Sequence, residues 1–85
     1  MNRPRNLVGP KLRQLRSQRE LSQAAVAAAC QRLGWDASRD MIAKIEGQTR
    51  WVSDSEWVFL ARALRVALDD LLPHATRRTL RSRVA

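Results

Sequence analysis

Three residues in the middle of the chain are best placed to do chemistry: Arg39, Asp40 and Lys44. At helical spacing they share one side of a short segment whose other side carries Ile42 and Ile45. Two cations and a carboxylate on a rod seated by two aliphatics can offer donors and an acceptor to a polar partner. An ordinary solvated helix face has the same composition, so the triplet alone leaves both readings open. Catalysis has little to work with. The chain holds one histidine (His74), one cysteine (Cys30) and no tyrosine, and no nucleophile and base form a pair. No enzyme activity and no cofactor are expected. His74 and Cys30 are too few for a zinc site, and no metal site is expected. Cys30 reads as a small core residue, and His74 as solvated.

A chain of 85 residues makes one domain with a small core. Its net charge of +8 suggests a polyanionic partner. The charge is uneven, however. Arg3, Arg5, Lys11, Arg13, Arg16 and Arg19 crowd the start, and Arg77, Arg78, Arg81 and Arg83 crowd the end. Between Glu20 and Leu72 six bases face eight acids. Charge by itself therefore fits any domain with two basic ends. No apolar run approaches the roughly 20 residues of a membrane span, and no apolar stretch follows the basic start as in a signal peptide. A cytoplasmic protein with no membrane association is expected.

The elements that must position the triplet follow from periodicity and caps. Strand alternation and hairpin turns are absent. Val8, Leu12 and Leu15 predict a first helix from about Pro10 to Arg19, with proline tolerated in the first turn. Ser22 is a cap for a second helix, Gln23 to Leu33, with Val26, Cys30 and Leu33 buried and Gly34 as its stop. Ser38 caps a third, Arg39 to Glu46, which ends at Gly47. Ser53 and Glu56 form a capping box for a fourth, along which Trp57, Leu60, Ala61 and Leu64 share a core face. A brief fifth helix spans Leu68 to Leu72. The tail from His74 has little to bury and is expected to be loosely ordered. Trp35 and Trp51 fall in loops and either cover the core edge or meet a partner. Helix two, a turn and helix three form the pair that helix-turn-helix proteins dock on DNA, the second helix entering the major groove.

The strings "LSQAAVAAAC", "SRDMIAKIEG" and "LARALRVALDDLL" together resemble the XRE family, which includes the lambdoid phage repressors and Cro. The resemblance covers about Val8 to Leu72. It implies an all-α fold, a five-helix lambda-repressor-like bundle with the helix-turn-helix formed by helices two and three. It also implies sequence-specific binding of double-stranded DNA as a transcriptional regulator, usually as a homodimer, with no catalysis and no cofactor. Matched position by position, Arg39, Asp40 and Lys44 become base-contacting residues. Arginine or lysine pairs with guanine O6 and N7, and a carboxylate accepts from cytosine N4. Gln23 resembles a phosphate clamp at the start of helix two. Thr49, Arg50 and Ser53 resemble backbone contacts after helix three. Arg16 and Glu46 resemble a structural ion pair that orients the reading helix. Residues 1–7 then form a basic arm, 8–72 the DNA-binding domain and 73–85 a basic tail. Arg3 and Arg5 either enter a neighbouring minor groove or form a nonspecifically attractive tail.

The sequence departs from the family pattern in three places. Gln23 to Glu46 is five residues longer than usual, around "QRLGWDA", which implies an extended second helix or a wider link. Gln48 stands where glycine is usual, with Gly47 next to it as a substitute. Arg65 replaces the glycine expected after helix four, and Val52 a common proline. Phe59 points away from the Trp57 face. With Ala63 and Val66 it marks a possible dimer interface. The expectation is a repressor that binds a palindromic operator as a homodimer. The alternative is the antitoxin of a toxin–antitoxin pair, using the same domain and a surface for a protein partner.

Overall fold

Serine hydroxyls start three of the helices. Ser22 Oγ accepts from the Ala25 N–H at 3.0 Å, Ser38 Oγ from Met41 at 3.1 Å and Ser53 Oγ from Glu56 at 3.2 Å. The Glu56 carboxylate returns the bond to the Ser53 N–H at 3.1 Å, completing the capping box. A computed structural model describes the backbone of residues 3–84 and the side chains of residues 3–79. The chain runs α1 (Gly9–Gln18), α2 (Gln23–Leu33), α3 (Arg39–Glu46), α4 (Asp54–Leu64), a 3-10 turn (Leu68–Leu71) and α5 (His74–Val84). Among the described residues there is no strand, and the fold is the all-α helical bundle expected.

α2 packs against α3 and α4, while α1 lies across α3, α4 and the 3-10 turn. Leu12, Ile42, Ile45, Leu60, Leu64, Leu71, Val26 and Cys30 fill the centre with almost no exposure. Each buried aliphatic of this size contributes about 1.5–3 kcal/mol. Leu33, expected in the core, is instead 42% exposed, because α2 is ending there. Trp57 is half-buried and donates its indole N–H to the Leu68 carbonyl at 2.9 Å.

From His74 to Val84 the chain is helical rather than irregular. α5 follows Pro73 directly and is tied down by Arg77, whose guanidinium reaches Asp70 at 3.3 Å and Asp69 at 3.6 Å. The sequence reading weighed only apolar burial there and missed this pairing. Residues 1, 2 and 85, and the side chains of Arg81 and Arg83, lie outside the described residues.

Left-handed backbone appears at Gly34 (φ +112), where glycine closes α2, and at three non-glycine residues: Glu20, Gln48 and Arg65. Gly47 does not stand in for the missing glycine. It is right-handed (φ −79), and Gln48 itself takes φ +60. Arg65 (φ +56) is the C-cap of α4; its N–H donates to Arg62 O at 3.1 Å, while its exposed side chain has no hydrogen-bonding or ionic partner among the described residues. An Arg65→Gly variant should therefore be more stable by about 0.5–1 kcal/mol, relief of the left-handed strain outweighing the extra unfolded-state freedom of glycine. Thermal unfolding should show a rise of a few degrees. A fall would mean that the arginine side chain makes a contact worth more than the strain.

Candidate functional site

α3 presents two opposite faces. Ile42 and Ile45 are fully buried, while Arg39, Asp40 and Lys44 all stand in solvent. Lys44 Nζ meets Asp40 Oδ2 at 3.0 Å, one turn apart, with both side chains more than half exposed. Such a pair stabilises by about 0.5 kcal/mol or less. It separates readily when a stronger partner arrives. Arg39 has no ionic partner among the described residues, so its guanidinium is free for a bidentate acceptor.

The C-terminal end of α3 is held from two sides. On one, Glu46 is buried and receives Arg16 Nε at 2.6 Å and Nη2 at 3.1 Å. Arg16 also donates to the Leu21 carbonyl at 2.8 Å, bridging α1, the α1–α2 turn and α3. The carboxylate holds Arg16 above its ordinary pKa, chiefly through that hydrogen bond. Glu46 Oε1 also accepts from the Gln23 amide at 3.0 Å. An amide nitrogen carries two hydrogens, so Gln23 keeps a second donor, fixed in place at the first residue of α2.

On the other side is an N-terminal clasp that sequence reasoning missed. Asn6 Nδ2 donates to Ile45 O at 3.1 Å and to Arg50 O at 2.8 Å, and its Oδ1 accepts from the Gly9 N–H at 2.8 Å. Gln48 Nε2 donates to Asn6 O at 2.9 Å, and the Arg5 N–H donates to Gln48 O at 3.0 Å. Asn6 thereby gives the Ile45 carbonyl a second donor beside the Gln48 N–H, which reaches it at 3.0 Å, while starting α1. The one local signal was an asparagine three residues before a helix start.

The residues after α3 divide. Thr49 is exposed, its hydroxyl and N–H both on Lys44 O at 3.2 and 2.9 Å. Ser53 is exposed at the start of α4. Arg50, expected on a phosphate, is engaged inside the protein. It forms a two-pronged pair with Glu56 at 2.9 and 3.2 Å, and donates to Trp51 O at 3.0 Å. Its guanidinium also lies 5.9 Å from the Trp35 ring centre. Arg50 holds the Glu56 carboxyl below its usual range, mainly through that hydrogen bond, so the charge of Arg50 is already neutralised. The structure makes it a brace for the loop rather than a free cation.

The longer connection resolves as a five-residue link, residues 34–38, between an α2 that ends at Leu33 and α3. Ala37 in this link is buried, and its carbonyl accepts from Gln31 at 2.6 Å. Trp35 packs between Arg50 and Phe59, with ring centres of the two aromatics 6.3 Å apart and 30° between planes. Phe59 is therefore not a bare apolar group awaiting a partner: the link covers it. Ala63 and Val66 are half-buried, and Leu33 is exposed beside Ala63 in a shallow cleft. Trp51 is 69% exposed.

Burial pushes the Cys30 thiol up to about 11, so it carries no thiolate at neutral pH. Among the described residues no group of three or more His, Cys, Asp or Glu could hold a metal ion. No helix among them is long and apolar enough to cross a membrane.

Among solved structures, the chain is similar to the restriction-modification controller protein C.AhdI from Aeromonas hydrophila. The two share 31% identity over 78% of this chain and 91% of that one, with a TM-score of 0.68. It is also similar to the clp gene regulator ClgR from C. glutamicum, at 20% identity over 84% and 86% of the two chains and a TM-score of 0.69, a likeness of fold alone. No family model matches the sequence, and no curated protein does.

Proposed function

Because this chain belongs to the XRE-type family of helix-turn-helix, DNA-binding transcription regulators, we propose that it represses transcription by occupying a short, roughly palindromic operator as a homodimer. The observation that carries this reading is the division of α3: two fully buried isoleucines under a solvent-facing Arg39, Asp40 and Lys44. In the bound state Arg39 and Lys44 would donate to guanine edges, Lys44 leaving its weak pair with Asp40. Asp40 would accept from cytosine or exclude wrong bases. Gln23, Thr49 and Ser53 would meet phosphates. The N-terminal end of α2 favours an anion there.

A repressor that blocks by occupancy needs no polymerase-contacting acidic patch. The acidic pair in this chain, Asp69 and Asp70, is engaged by Arg77, and Asp70 also accepts from the Ala67 N–H. Two copies would set their reading helices about 34 Å apart on successive major grooves. The surface around Ala63 and Val66, extended by exposed Leu33 and edged by Arg32, Arg62 and Arg65, is the area we assign to the contact between copies.

Footprinting on the DNA flanking its own gene tests the reading. The Arg39→Ala variant should lose about 1–3 kcal/mol on the protected sequence, concentrated at one base position, with little loss on random DNA. Equal losses on both would make Arg39 a phosphate contact and remove the basis for sequence reading by α3.

A further inference from the structure

The N-terminal segment is built into the end of the reading helix rather than trailing from α1. The Arg5 N–H is bonded to Gln48 O, and Asn6 spans Ile45 and Arg50. The segment also shares a shallow cleft with Val52, Asp54 and Trp57 at the start of α4. Arg5 therefore emerges where the end of α3, the loop through Thr49 and the first turn of α4 meet. Its side chain is exposed and has no ionic partner among the described residues. Asp54 lines the same cleft but makes no ion pair with it. Arg50, a second cation at this junction, is already paired with Glu56.

We propose that Arg5 is a phosphate-binding residue of the DNA interface, supplying the positive charge that Arg50 withholds, and that Asn6 is the positioning residue that holds it there. The inference rests on the DNA-binding reading above. A guanidinium is suited to the task because it is permanently charged and forks onto two oxygens. Its anchor is rigid, since the backbone on both sides of the Arg5–Asn6 peptide is hydrogen-bonded to Gln48, two residues past the end of α3. A free arm would lose that ordering entropy on binding. A docked one does not.

The test is the salt dependence of binding to a fluorescently labelled random-sequence duplex, which reports phosphate contacts without needing the operator. Each neutralised phosphate adds about 0.9 to the slope of log affinity against log salt. The Arg5→Gln variant should flatten that slope by about one contact, so that it loses roughly threefold less affinity than the parent between about 50 and 200 mM salt. Arg5→Lys should retain the slope. The Asn6→Ala variant should flatten it as Arg5→Gln does, at a temperature where circular dichroism shows the fold intact. Should that variant not fold, the Arg5 pair of variants still decides. Arg13→Gln removes an equal charge from the exposed side of α1, and should leave the slope alone. An Arg5→Gln slope equal to the parent's, or an Arg13→Gln slope equally flattened, would overturn the assignment. A parent protein that binds no duplex at all would instead overturn the DNA-binding reading, and this inference with it.

Discussion

Replacing Gly9 with alanine should cost the domain about 3 kcal/mol, near the upper end of what overpacking does, and lower the midpoint of thermal unfolding by roughly 15 °C. Gly9 opens α1 and is buried against the end of α3. A Cβ there would run into the Ile45 carbonyl oxygen, lie 2.9 Å from the Glu46 carbonyl oxygen and 3.0 Å from Gln48 Cγ. Two of those three atoms are backbone and cannot rotate away. They also belong to the last turn of the reading helix, where movement would disturb Asn6, Glu46 and Gln48 together. Alanine is favoured over glycine inside helices by only about 0.5–1 kcal/mol, far too little to offset the collision. A domain of this size holds only some 4–13 kcal/mol in total, so the loss is a large fraction of it. Circular dichroism melts of the two proteins check this. A midpoint unchanged or raised in Gly9→Ala would show that α1 and α3 do not approach as closely as described.

Gly9 also shows where sequence reading stops. Its role depends on carbonyls more than thirty positions away, and Asn6 bonds to residues 39 and 44 positions on. Neither partner leaves a mark near the residue itself. The bounds of α2 and α3 were legible because their signals are local: a serine cap at each start, a glycine just past each end. Phe59 was expected off the Trp57 face, yet both residues are partly buried against the core. What lies opposite Phe59 is Trp35, in a link with no periodicity to project from. Gln48 misled for a different reason. A neighbouring Gly47 offered an inexpensive left-handed residue, yet the chain uses Gln48, whose amide then reaches Asn6. That tertiary bond offsets part of the backbone strain. Arg50 was read by position as a phosphate contact because the acid three residues beyond Ser53 was counted only as a capping partner. Glu56 serves both, accepting from Ser53 and from Arg50.

The Glu46→Gln substitution should weaken the protein in two separable ways. Glu46 is buried, with 4% of its side chain exposed, and Arg16 is little more open at 16%. Removing one partner of a buried pair costs about 3–5 kcal/mol. Here Arg16 keeps its bond to Leu21 and some contact with water, so a smaller loss of about 2–3 kcal/mol is expected. The second loss is positional. Gln23 is aligned by Glu46, and a neutral amide in its place accepts with one oxygen instead of two. Binding should therefore fall on operator and random DNA alike, unlike in Arg39→Ala. A double variant, Arg16→Met with Glu46→Leu, separates the two effects. Apolar replacement of an entire buried pair is often neutral or stabilising, so the melting midpoint should return towards that of the parent. The acceptor for Gln23 is still missing, so DNA affinity should stay low. If affinity recovered together with stability, the pair would be only a staple between α1 and α3, and the orientation of Gln23 would owe nothing to it.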